Sequence, residues 1–233
     1  MMNKGKILKR SKSKGFQEQS PVLIIVTGQT EEKYFKDRIK DKRYTSIIVE
    51  IENSKGDSNP LKVIERYKNN KFHSYLIRKP ISYKRIWFHI DFDNEPNIRV
   101  NRKPHKDANF NNACDMLEEQ NSKWKFRDKK REKYRVVYSN PSFELWVLLH
   151  FKSQTAFITR HDALREVKKH LPDYEKGLRY ELYASIIENE VNAIEYAKYL
   201  ERHHHQIGYD TPDSRTPSST LFYLIEQLDD EFN

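Results

Sequence analysis

Cysteine is almost missing from this chain: Cys114 stands alone among 233 residues. One thiol cannot form an intramolecular disulfide, and no thiolate metal cluster can be built from it. Glycine is scarce too, at six residues. No G-x-x-x-x-G-K-[ST] stretch occurs, which excludes a phosphate-cradling loop of the P-loop kind. No apolar run approaches the roughly 20 residues needed to cross a bilayer. The N-terminus is basic without the apolar stretch of a secretory signal, and no Ser-His-Asp or Cys-His arrangement has a recognisable local signature. The chain reads as a soluble, cytoplasmic protein without membrane contact, long enough to bury a substantial core.

Charge, by contrast, is abundant. Charged residues make up 33% of the chain and the net charge is +9. Lys4, Lys6, Lys9, Arg10, Lys12 and Lys14 face only Glu18 in the first 20 residues, a segment read as a basic disordered tail. A second cluster, Lys123, Lys125, Arg127, Lys129, Lys130, Arg131, Lys133 and Arg135, is interleaved with Trp124, Phe126 and Tyr134. Cations beside aromatics suit a polyanion that also offers bases to stack on, so Lys123, Lys125, Arg127, Lys129, Lys130 and Arg131 are candidate nucleic-acid contacts. A solvated helix face or loop would have the same composition.

Four short apolar runs predict strands: Val22–Val26, Ile47–Ile51, Ile86–Ile90 and Tyr134–Tyr138. Stretches of helical character lie between them, at Glu31 to Asp41, Pro60 to about Leu76 and Ala108 to about Gln120. Alternation of this kind predicts an α/β fold, an open parallel sheet with right-handed crossovers. After Tyr138 the pattern turns helical: Pro141 to Phe151, Asp162 to Leu171, Glu181 to Leu200 and Ser218 to Leu228, with His203 to Pro217 a loop and no further strand evident. The expected division is a tail over 1–20, an α/β core over 21–152 and a helical extension over 153–233 packed on that core.

Ligands of open α/β sheets bind beyond the carboxyl ends of the strands, and a polar constellation follows each of three strands. After the first comes Thr27-Gly28-Gln29-Thr30-Glu31-Glu32, where Gly28 permits a tight turn and Thr30 can cap the helix. After the third come Asp91 and Asp93, expected on one side of the strand because side chains alternate with period two. Adjacent carboxylates repel, and a cation between them relieves the repulsion; Mg²⁺ prefers carboxylate oxygen and water. A turn at Asp93-Asn94 with Asp91 as a strand-end cap is the plain alternative. The fourth strand leads into Ser139-Asn140-Pro141-Ser142-Phe143-Glu144, with Asn140 as helix cap and Pro141 as first helical residue. Glu144 falls in a helix apolar on nearly every face, where a carboxylate needs a metal or a cationic partner. The run His203-His204-His205 points in different directions on a helix and suits the negative end of its dipole rather than a metal.

These motifs resemble the RloB family of bacterial proteins. The likeness is carried by Leu23 to Phe35 with its Thr30-Glu31-Glu32-Lys33-Tyr34-Phe35 signature, by His89-Ile90-Asp91-Phe92-Asp93, by Ser139 through Phe151, and by Pro217-Ser218-Ser219-Thr220, over about residues 22–228. The resemblance implies a Toprim-like, Rossmann-like sheet using Mg²⁺ or Mn²⁺ to cut nucleic acid. It further implies an effector of anti-phage or abortive-infection systems, often encoded beside an AAA-type ATPase partner. Carried over to this chain, Glu31, Asp91 and Asp93 would be metal ligands, with Glu144 and Asn140 completing or orienting the site. One position departs: Thr27 stands where a glutamate usually precedes the first glycine, and the loop from Gly28 to Thr30 looks one residue short. Either Glu31 takes that role or the metal is held poorly. The function implied is therefore phosphodiester hydrolysis of RNA or DNA, with a degenerate nucleic-acid-binding or sensor subunit, or nucleotidyl transfer on the same acids, as alternatives.

Overall fold

The computed structural model describes residues 20–51, 59–68, 83–92, 106–123, 133–177, 179–209 and 214–232. In chain order these form β1 (Val22–Val26), α1 (Gln29–Asp41), β2 (Ile47–Ile51), α2 (Pro60–Lys68), β3 (Arg85–Asp91), α3 (Lys106–Lys123) and β4 (Tyr134–Asn140). There follow α4 (Phe143–Leu149), α5 (Arg160–His170), α6 (Leu182–Ile186) with a 3-10 turn at Ile187–Asn189, α7 (Glu190–Gln206), β5 (Ser218–Ser219) and α8 (Leu221–Phe232). The sheet order is β2-β1-β3-β4-β5. The first four strands are parallel and β5 runs antiparallel to β4.

β1 explains why an unbroken apolar run marks a central strand. Val22, Ile24 and Val26 pack into one core with Trp87, Phe143, the run Leu145 to Leu149 and the C-terminal helices. Leu23 and Ile25 pack into another with Ile86, Phe88 and Ile90 of β3, Val63 and Ile64 of α2, and Ala113 and Leu117 of α3. A strand covered on both faces has no solvent side and needs no polar alternation. The C-terminal helices are one wall of the main core, and Ala193, Ala197, Leu221 and Ile225 are wholly buried in it. Arg38 of α1 is buried there as well. Its Nε donates to Glu190 of α7 at 2.8 Å and its Nη2 to Asp229 of α8 at 2.7 Å, tying three helices together.

The outer edge of β4 is closed by side chains as much as by β5. The Asn121 amide donates to the Tyr134 carbonyl and accepts from the Tyr134 N–H, both at 2.9 Å. At the other end Thr220 Oγ1 accepts from the Tyr138 N–H at 2.9 Å and the Thr220 N–H donates to the Tyr138 carbonyl at 2.9 Å. Satisfied edge groups do not recruit another strand.

Several boundaries differ from the sequence reading. Ser218–Ser219 is a strand, not the start of a helix, and α8 begins at Leu221. Asn140 ends β4 and precedes a cis peptide bond to Pro141; Ser142, in extended conformation, is the cap of α4. Thr30 lies inside α1, whose cap is Gly28. The helix expected from Glu181 is interrupted by the 3-10 turn and continues to Gln206, so His203–His205 occupy its last turn, not a loop. Among the described residues no helix is long and apolar enough to cross a membrane.

Candidate functional site

In this strand order the chain reverses its direction of travel between β1 and β3, the switch point at which open α/β sheets leave a crevice. Glu31 reaches it from the first turn of α1, and Asp91 is the final residue of β3. Glu144 enters from the first turn of α4. Thr27, Glu31, Asp91, Glu144, Arg160 and Lys176 line a cavity of about 420 Å³. The last two come from the helical C-terminal part of the chain, so the crevice has an acidic floor built from β3 and the first turns of α1 and α4, and a basic rim added from beyond them.

Glu31 is buried, and its carboxylate folds back over Gly28 so closely that a Cβ at that position would collide with it. This contact, rather than a left-handed backbone, is what requires glycine: Gly28 has φ −131°. Glu144 is buried and fully engaged. Ser142 Oγ donates to its Oε2 at 2.6 Å, while Lys176 Nζ, at 2.7 Å, and the Tyr174 hydroxyl, at 3.3 Å, reach its Oε1. The segment carrying Tyr174 and Lys176 is pinned to α1 by the Gly177 N–H, which donates to Thr30 Oγ1 at 2.8 Å. Arg160 Nη2 lies 3.8 Å from Asp91 Oδ2, while Asp91 Oδ1 is buried with no hydrogen-bond partner among the described residues.

Burial pushes the Glu31 carboxyl up to about 7, and the charge of Glu144 adds to the shift against the pull of Lys176 and Arg160. Asp91 is raised well above the ordinary carboxylate range, first by burial and then by Glu31 and Glu144, with Arg160 and Lys176 again opposing. The floor therefore carries more acid than its resident cations neutralise. Carboxylates that raise one another's pKa, one with a buried oxygen lacking a partner, suit a hard divalent cation. Ligand atoms of Glu31, His89 and Asp91 lie within 4.8 Å of one another, compatible with a shared ion at ligand distances of about 2.0–2.6 Å. The residues present fit the metal.

Glu31, Asp91 and Glu144 line one crevice. Asp93, Lys125, Arg127, Lys129, Lys130 and Arg131 lie outside the described residues, and Lys123 ends α3 with its side chain outside them. Asn140 is completely buried; its amide donates to Thr216 Oγ1 at 2.8 Å and the Arg215 carbonyl at 3.3 Å, which makes it a tie between β4 and the segment before β5. Lys176 and Arg160 escaped the sequence reading because nothing local marks a cation that folds back onto a crevice from a distant segment. His89 escaped it differently: it stands two residues before Asp91 in the same strand, and period-two alternation places both on one side.

Neither a curated protein nor a solved structure matches the chain. A family model described as RloB-like protein matches residues 22–228, most of its length and all the elements that build the crevice. The chain belongs to the RloB-like protein family.

Proposed function

We propose that the protein is a metal-dependent nuclease that hydrolyses phosphodiester bonds at the Glu31–Asp91–Glu144 crevice. The observation that carries the reading is the meeting of Glu31 and Asp91 at the sheet's switch point, with ligand atoms within 4.8 Å and a buried Asp91 oxygen lacking a partner among the described residues. Glu31 and Asp91 would hold Mg²⁺ or Mn²⁺, joined by Asp93 on the family resemblance. The cation would supply Lewis-acid polarisation of the scissile phosphate and acidify water nearby.

The chain's own residues account for the rest. Lys176 and Arg160, at the rim, offer charged donors to a phosphate oxygen and limit repulsion between a polyanion and the acidic floor. Glu144, fixed by Ser142 and Tyr174, holds Lys176 in place and so positions that donor. The basic tail and the cluster from Lys123 to Arg131 would hold the substrate backbone. The family resemblance supplies the wider setting proposed here: an anti-phage effector acting with an AAA-type ATPase.

A second reading is favoured by one observation. Thr27 lines the cavity where the resemblance leads one to look for a glutamate, and Lys176 already neutralises Glu144. A site so arranged also suits a catalytically silent subunit that binds nucleic acid and controls its partner.

Calorimetry with Mn²⁺, followed by a cleavage screen over RNA and DNA, separates the two. The nuclease reading expects binding and cleavage in the wild type and loss of both in Asp91→Ala, with the circular dichroism spectrum unchanged. Cleavage retained in Asp91→Ala would sink it, and a wild type that binds nucleic acid but no metal moves the assignment to the sensor.

A further inference from the structure

His89 lies in the middle of an apolar strand and is completely buried. Its ring meets Phe35 and Phe143 edge-on, at centroid distances of 6.5 and 5.7 Å. Those contacts would be served as well by phenylalanine. What phenylalanine lacks is the pair of ring nitrogens, and their surroundings are informative. Nε2 lies 3.3 Å from Ser139 Oγ, on the neighbouring strand, while Nδ1 is buried with no hydrogen-bond partner among the described residues. Leaving a buried polar atom unmatched costs about 1–3 kcal/mol. The imidazole is directly below Asp91 on the same side of β3, and its ligand atom falls in the 4.8 Å cluster with Glu31 and Asp91.

A buried nitrogen and a buried Asp91 oxygen, both without partners among the described residues and in side chains whose ligand atoms cluster within 4.8 Å, have a common explanation. We infer that His89 is the nitrogen ligand of the cation site, and that it makes the site prefer Mn²⁺ to Mg²⁺. The inference rests on the metal-dependent reading above and goes beyond it in naming the donor set. Mg²⁺ favours an all-oxygen octahedron and keeps its water, whereas imidazole is an accepted donor for first-row transition ions. The contact between His89 and Ser139 would orient the ring from behind, and Ser139 is itself 3.4 Å from Ser219 Oγ of β5. An outer partner that fixes the tautomer of a ligating histidine is a regular feature of such sites. The short antiparallel strand thereby acquires a part in the site although it contributes no residue to the cavity wall.

Electron spin-echo modulation of the Mn²⁺-loaded full chain reads the bond directly. The protein should carry His203→Asn and His205→Asn so that these two histidines of α7 cannot supply a nitrogen signal; the third, His204, is buried with its Nε2 2.7 Å from the Pro217 carbonyl oxygen. Coupling to an imidazole ¹⁴N is expected in this background and absent when His89→Phe is added, a change that keeps the ring packing against Phe35 and Phe143. Calorimetry of the same pair should show Mn²⁺ affinity falling more than about tenfold in His89→Phe, since even outer partners of metal ligands are worth about 10–100-fold. Mg²⁺ affinity should change little. Bound Mn²⁺ without nitrogen coupling, or coupling that survives His89→Phe, overturns the inference and leaves a metal-dependent nuclease standing. Absence of any bound Mn²⁺ in the starting background overturns both. The first spectrum needs no change at His89, so a poorly folded His89→Phe does not protect the idea.

Discussion

An acid that keeps its proton up to about pH 7 inside the fold, against 4.5 ordinarily, makes the folded state weaker as pH rises through that interval. Glu31 is such a group. Below the lower value it is neutral in both states; above the higher one the folded protein holds a buried anion that the unfolded chain solvates freely. His89 and His150, whose pKa values burial lowers to about 3 and about 4, work the other way on the acid side, because unfolding lets them take up protons. Comparing a variant with the wild type cancels their contribution. Glu31→Gln should therefore raise the melting temperature of the metal-free protein at about pH 8 and leave it nearly unchanged at about pH 4. A shift of equal size at both pH values would show that the carboxyl is not raised. Gly28→Ala probes the same side chain from its other side. The backbone there tolerates alanine, but the new methyl displaces the Glu31 carboxylate. Mn²⁺ affinity should drop by at least about tenfold with little loss of helix signal, measured by calorimetry and circular dichroism.

Elements were legible in the sequence where apolar side chains pack on both faces of a segment, and illegible where two residues decide. Val22–Val26 and Ile47–Ile51 stand where the apolar runs put them, and β3 and β4 each extend theirs by two polar residues. Arg85 is added at the far end of β3, while Asp91, Ser139 and Asn140 are added at the crevice end of the sheet. β5 left no trace because a two-residue strand has no periodicity; it is defined by pairing with Ser139 and Asn140 and by the Thr220 hydroxyl at Tyr138. Glu144 was visible as a misfit in an apolar helix, but its partner Lys176 was not, since the contact joins segments with no shared pattern. Arg38 was likewise silent, being an ordinary charge in an amphipathic helix until α7 and α8 close over it. Arg38→Met leaves Glu190 buried without its cation and should cost about 3–5 kcal/mol in denaturant unfolding. A loss under about 1 kcal/mol would mean that Glu190 finds water instead.

For the whole molecule, charge is unevenly placed. The crevice is acidic at its floor, yet the chain carries +9 overall, much of it in the tail and between Lys123 and Arg135. If those clusters hold nucleic acid, affinity should fall steeply with salt, with a slope of about −0.7 to −0.9 in log units per neutralised phosphate. Fluorescence anisotropy with the first 20 residues removed should show that slope reduced by several units. An unchanged slope would assign the tail's charge to something other than substrate.

Glu31 of α1 and Asp91 of β3 come early in the chain, but Arg160 and Lys176 arrive only after a further stretch of it, and the main core is not closed until α8 covers it. Arg38, too, waits for Asp229. On a ribosome the acidic ligands therefore emerge long before the rim and the wall that shape them. On the nuclease reading proposed above, a growing chain would therefore carry the acids of the site before it has the cleft that makes them a site.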